Sequence, residues 1–231
     1  MAKKKKKKGP LISDKMKLFM IVLLTPAAIV LYVLAYLIWV NLSDLPFFKT
    51  DEELVIQEYN EIQENFDIPI PREYVPVYME AAEHYHIPWT LLAAHHRIET
   101  RFSTMKTLVS PVGAEGHLQF MPCTFVGWQH PTCNGLGQGD IPQEEKVNPS
   151  IISKYGGYGV DANGDGVADP FDIEDAVFSA ANYLAAAGAK NGNFEKAIFA
   201  YNHSEDYVED VLYFYNLYNE QKRAIEINLM E

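Results

Sequence analysis

From Leu18 to Val40 the chain runs for 23 residues without a charged side chain. As a helix rising ~1.5 Å per residue, that run reaches roughly 35 Å, enough to cross a hydrocarbon core of ~30 Å. Pro26 falls inside it and is expected to bend the helix, which a membrane helix tolerates. Tyr36 and Trp39 stand near its far end, where amphipathic rings favour the lipid–water boundary. Residues 1–40 hold eight Lys, six of them in the run Lys3–Lys8, and one Asp. The whole chain carries a formal charge of −12, from 19 basic and 31 acidic residues, so residues 41–231 keep 11 basic and 30 acidic ones, or −19. Lysines before the span and acid after it place the N-terminus in the cytoplasm and the remainder outside. The same lysines suit the anionic inner leaflet. A cleaved signal peptide is the competing reading. A retained anchor is expected, because the run is longer than a signal's apolar core and Trp39-Val-Asn-Leu-Ser43 lacks small residues at a cleavage spacing.

The expected organisation is a basic tail over 1–17, a membrane helix over 18–40, a stalk over 41–69 and a folded domain over 70–231. In the stalk, Leu54, Ile56, Tyr59, Ile62 and Phe66 recur at helical spacing among many Glu, which predicts an amphipathic helix over 51–65. Ile68-Pro-Ile-Pro71 punctuates the chain before the domain. So acidic a domain excludes nucleic acid as a partner, since phosphate binding needs clustered Lys and Arg. Its two cysteines, Cys123 and Cys133, flank a turn-rich stretch. Outside the cytoplasm a disulfide is expected, two unlinked thiols being the alternative.

Within the domain, helices are predicted over 73–85, from Trp89 to Glu99, over 120–129, 173–187, 194–201 and 207–227, with a long loop over 132–159. Pro88 suits the beginning of the second helix and Gly188 the end of the fourth. Glu99 falls on a last turn, next to Ile98 and near Phe102. The negative end of the helix dipole and apolar neighbours both oppose its ionisation. A carboxylic acid that stays protonated near neutrality can serve as a general acid in breaking a glycosidic bond. His95 lies one turn before it; with no third ligand evident, a shared zinc is not expected, and His95 and His96 are expected to line a cleft or pack in the core.

Three segments appear in order: Glu99-Thr-Arg-Phe102, then Ser110-Pro-Val-Gly-Ala-Glu-Gly-His-Leu-Gln119-Phe-Met-Pro122, then Ala200-Tyr201-Asn202. Together they resemble the lytic transglycosylases, peptidoglycan-cleaving enzymes of the lysozyme-like superfamily, over roughly residues 70–220. Thr100 replaces the more frequent Ser, and His117-Leu118 stands where Leu-Met is usual. The resemblance implies an α+β, mostly helical, lysozyme-like fold. It implies Glu99 as the single acid/base, Ser110, Gln119, Tyr201 and Asn202 as substrate-binding residues, and Tyr201 as the hydrogen-bond partner of Glu99. A muramidase using Glu115 as a second carboxylate and a wall-binding anchor without activity are the rival readings. A single-pass anchor suits wall remodelling beside an envelope-spanning complex.

A second pattern spans Asp161 to Asp172. Asp161, Asn163, Asp165 and Asp169 stand at positions 1, 3, 5 and 9 of an EF-hand calcium loop, with Gly166 at 6 and the Val167 carbonyl at 7. Position 12 is Asp172 in place of the usual Glu, and no helix precedes the loop. Structural calcium is the expected cofactor, and no organic one is expected.

Overall fold

The computed structural model describes residues 13–43, 49–54, 56 and 69–228. The lysine run and most of the stalk helix lie outside the described residues. The chain divides into two units, residues 1–57 and 58–231.

In the first unit, helix α1 (Asp14–Ser43) contains Pro26 and the stretch Lys15–Val40, which is long and apolar enough to serve as an anchor or a signal. Its large side chains, among them Leu31, Tyr36 and Trp39, are exposed. Where the stalk is described, Asp51–Leu54 are helical. A capping box starts this turn: Thr50 N–H donates to Glu53 Oε2 (2.7 Å) and Glu53 N–H to Thr50 Oγ1 (3.2 Å).

The second unit is built from helices. A 3-10 turn (Arg72–Tyr74) leads into α2 (Val75–Tyr85), followed by α3 (Trp89–Thr100), α4 (Pro122–Val126), α5 (Gln143–Lys146), α6 (Pro149–Tyr155), α7 (Ile173–Ala187), α8 (Phe194–Tyr201), α9 (Glu205–Glu220) and α10 (Lys222–Asn228). The expected β component shrinks to two isolated antiparallel bridges among the described residues, Val109 with Glu115 and Glu115 with Phe120. The glycine-rich segment between α3 and α4 turns too often to extend a ladder.

Helix α3 is the axis of the unit. Trp89 to His96 are all buried, as befits a helix covered on every side. It packs against α2 and α9, while α7 lies against α2 and α8. The α7 face that packs is small, with Ala176, Ala180, Ala181 and Leu184 inaccessible to solvent. That helix begins and ends where its sequence says: Asp172 caps Glu174 N–H (2.9 Å), and Gly188 stops it at φ 128°.

The expected long loop over 132–159 is broken by α5 and α6. Asn148 caps α6 by accepting from Ser150 N–H (2.9 Å), and Pro149 takes the first helical position. These start signals were outweighed by the surrounding Gly and Pro. The loop is pinned at its base by the Cys123–Cys133 disulfide, the pairing expected from the cysteine spacing. Cys123 is inaccessible and packs with Val126 and Ile141.

Closing an 11-residue loop is worth about 2–3 kcal/mol. We expect Cys123→Ala/Cys133→Ala to lower the melting temperature of the second unit by roughly 5–10 °C. Thermal unfolding with and without reductant checks this, and reductant should leave the double variant unchanged.

Candidate active site

Glu99 lies in the last turn of α3, which is followed by three consecutive non-glycine residues in the left-handed region: Arg101 (φ 51°), Phe102 (56°) and Ser103 (64°). Each costs of order 1–3 kcal/mol in isolation, so the surroundings must hold them there. Arg101 N–H bonds to Arg97 O (2.9 Å) and Phe102 N–H to His96 O (3.3 Å), closing the helix. Phe102 is buried against the edge of His96. Thr100 Oγ1 accepts from Ser103 N–H (3.1 Å) and donates to His117 O (2.8 Å), tying the end of α3 to the segment that holds Gln119.

A chain of side chains reinforces that tie. Tyr78 Oη lies 2.6 Å from His96 Nδ1, His96 Nε2 2.6 Å from Ser103 Oγ, Ser103 Oγ 2.5 Å from His117 Nδ1, and His117 Nε2 2.8 Å from Phe171 O. A carbonyl can only accept, so His117 Nε2 carries its proton. The rest follows in order: Ser103 donates to His117, His96 Nε2 to Ser103, and Tyr78 to His96. Both rings are neutral, since burial pulls His96 down to about 3 and lowers His117. Every donor has one acceptor.

The Glu99 carboxyl sits in dense surroundings, while part of the side chain remains open to solvent. Burial pushes its pKa up to about 7, against the pull of one donated hydrogen bond. That bond comes from Tyr207 Oη, 2.5 Å from Glu99 Oε1. Tyr207 stands in the first turn of α9, where Ser204 caps its N–H. Its hydroxyl also lies 2.9 Å from His95 Nδ1.

The partner expected for Glu99 was Tyr201. Its hydroxyl is near enough for the Glu99 charge to help raise its pKa, but it donates to Leu118 O (2.8 Å). Its ring lies against His95, Phe120 and Tyr183. Tyr201 therefore walls the site and Tyr207 binds the acid. Nothing in the three segments singles out Tyr207; the one available signal is the helix start at Ser204-Glu-Asp, soon after Asn202.

Gln119 adopts φ 50° and donates through Nε2 to Leu108 O (2.9 Å) and Gly116 O (2.7 Å), so its carbonyl oxygen is what it can present to a ligand. Ser110 Oγ accepts from Ala114 N–H (2.9 Å) and closes the turn before Gln119. Asn202 is exposed at the end of α8. Glu115, the proposed second carboxylate, is held by Lys146 Nζ at 2.6 Å.

The Asp-rich loop spends its oxygens on its own amides. Asp161 accepts from Gly164 and Gly166 N–H, Asn163 from Asp165, Asp165 from Val167 and Asp169 from Phe171, all at 2.8–2.9 Å. Asp172, expected as the twelfth-position ligand, instead caps α7. Buried Asp175 reaches back into the loop, accepting from Ala162 (2.7 Å) and Asp169 (2.8 Å) N–H. Among the described residues, no three His, Cys, Asp or Glu side chains are gathered closely enough to hold a metal. The loop is thus closed by its own hydrogen bonds, and its side chains as placed do not form a metal cage.

Glu99 titrates near 7 in the fold against an ordinary value of 4.5, so the native state binds the extra proton between those values. Stability then falls as pH rises through that window and is level above it. Glu99→Gln keeps an acceptor for Tyr207 and loses the charge. We expect it to melt higher than the wild type at pH 8.5, with the gap closing at pH 5; calorimetry at both pH values checks the sign.

With the geometry in place, comparison with known proteins adds one finding. Residues 151–194 match the family model of the transglycosylase SLT domain. The matched stretch holds the Asp-rich loop and α7, while Glu99, Ser110, Gln119, Tyr201 and Asn202 lie outside it. No curated protein and no solved structure matches the chain. Over residues 151–194 the chain is thus similar to the transglycosylase SLT domain, and the same unit holds a helix-end carboxyl poised near neutrality.

Proposed function

We propose that this protein is a peptidoglycan lytic transglycosylase with a lysozyme-like catalytic domain, working at the wall-facing side of the membrane from which α1 anchors it. The observation that carries the reading is Glu99: a partly exposed residue whose carboxyl pKa burial raises to about 7, held by one tyrosine hydroxyl. The SLT match over 151–194 supports the same class.

Protonated Glu99 donates to the β-1,4 oxygen between N-acetylmuramic acid and N-acetylglucosamine, and the bond from C1 to that oxygen breaks. The substrate's own acetamido oxygen shares the positive charge that develops at C1. Ionised Glu99 then takes the proton of the muramyl C6 hydroxyl, whose oxygen closes on C1. The product ends in a 1,6-anhydromuramyl ring and Glu99 is protonated again. Tyr207 steadies the carboxylate between the two transfers. The Gln119 carbonyl and the exposed Asn202 amide offer an acceptor and a donor to the sugar, and Ser110 a hydroxyl. The rival muramidase would need Glu115 as a base that activates water. Glu115 is instead engaged by Lys146 Nζ at 2.6 Å.

Calcium is proposed as a structural ion of the loop over 161–172. The support is the spacing of Asp161, Asn163, Asp165, the Val167 carbonyl and Asp169. Asp172 at position 12 caps α7 through Oδ1, so it would serve the ion through its other carboxylate oxygen. No step of the chemistry passes through the ion.

Muropeptides released from purified sacculi by the detergent-solubilised chain should be lighter by one water than hydrolysed ones and lack a reducing end; reducing ends would mean hydrolysis instead. Glu99→Gln should abolish release while remaining folded, and wild-type activity should decline as pH rises through about 7. Calcium should raise the melting temperature over chelator, and Asp165→Ala should erase that difference; equal melting temperatures would remove the ion from the proposal.

A further inference from the structure

His95 is wholly buried one turn before Glu99, and the reaction as written gives it no task. Its Nδ1 lies 2.9 Å from Tyr207 Oη, which lies 2.5 Å from Glu99 Oε1. Its other nitrogen, Nε2, is buried with no hydrogen-bond partner.

The three groups share few protons, and counting them fixes their order. Tyr207 has one hydroxyl proton, and burial holds its pKa well above the ordinary 10. An ionised carboxylate has none to give, so the Tyr207 proton points at Glu99. Toward His95 the tyrosine oxygen can then only accept, which requires a proton on Nδ1. Burial keeps the imidazole neutral, with its pKa near 3, so Nε2 is left bare. That matches its surroundings, because an orphaned buried acceptor is commoner than an orphaned buried N–H. The opposite tautomer would set two lone pairs against each other or turn the Tyr207 proton away from Glu99. The titratable group shown against this trio is Tyr201, whose ring lies against His95 and whose hydroxyl feels the Glu99 charge.

We propose that His95 is a positioning residue: as the Nδ1–H tautomer it donates to Tyr207 and so holds the tyrosine proton on Glu99. It touches no substrate and acts through Tyr207 alone. When Glu99 is ionised, between the two proton transfers, the relay runs His95 to Tyr207 to Glu99, and each donor strengthens the next. This role rests on Glu99 being the acid/base of the proposed reaction.

The test has two arms. In the full chain in detergent, with 15N-labelled histidine, long-range 1H–15N correlation at pH 9 reads the protonated nitrogen of each ring, and His95→Asn assigns the His95 signals among the seven histidines. We expect His95 protonated at Nδ1 at this pH, where Glu99 is ionised; a proton on Nε2 overturns the proposal. In the activity arm, His95→Leu removes the donor, whereas His95→Asn places an amide N–H where Nδ1–H was. We expect His95→Leu to lose about tenfold in kcat with KM unchanged, as one ordinary hydrogen bond implies, and His95→Asn to recover most of it. A folded His95→Leu with wild-type kcat also overturns it. Should His95→Leu fail to fold, the tautomer of the wild type still decides. Should the wild type release no muropeptides, the proposed reaction fails while the tautomer measurement stands apart from it.

Discussion

A carboxyl group that is to donate a proton near neutrality must be dry enough to hold it and open enough to deliver it. In this protein the requirement falls on one position, the last turn of α3. The helix is buried along almost its whole length, which brings Glu99 into dense surroundings. Its end is unwound by three left-handed residues, and Glu99 as a residue keeps partial exposure. Burial alone would raise the pKa further; the Tyr207 hydroxyl restrains it. The site is thus a balance between desolvation and a single donor, and α9 exists at this spot to supply that donor.

The strained turn after Glu99 makes sense only with its neighbours. Thr100 bonds to the backbone of His117, and Ser103 is clasped between two imidazoles. These contacts join α2, α3, the segment before α4 and the end of the Asp-rich loop. They are polar and directional, so they hold geometry more tightly than the surrounding apolar packing does. The tight approach of Gly116 to Pro170 belongs to the same seam: a Cβ there would sit 1.9 Å from the Pro170 oxygen. The φ of 82° at Gly116 would strain any other residue as well.

Much of this was legible before the structure. Helix α7 was readable to the residue because a glycine stop closes an alanine-rich run, and α8 because its apolar period is clean. Glu99 stood out because a carboxyl on a mostly apolar helix end is chemically odd. Tyr207 did not, because the contact spans 108 positions and leaves no local spacing to notice. Gln119 was read as a sugar ligand, and which end of its amide it could offer was not legible: a left-handed backbone turns Nε2 onto two carbonyls of its own loop, a geometry sequence spacing does not encode. Asp172 illustrates a conflict of signals: the same residue suits a loop ligand and a helix cap, and the cap claims it because α7 begins one residue later. The lysine run and the amphipathic stalk were read from composition and lie outside the described residues.

The ordered chain from Tyr78 to Phe171 also bears on how such a sequence can drift. Its interior members, His96, Ser103 and His117, each give one proton and take one, so replacing one of them by an apolar residue leaves its neighbours unpaired. Exchanging His117 for an apolar residue strands Ser103 and the Phe171 carbonyl; exchanging Ser103 strands two imidazoles. Only joint changes at 96, 103 and 117 restore a closed account of donors and acceptors. Those three positions are therefore coupled energetically through one chain of hydrogen bonds.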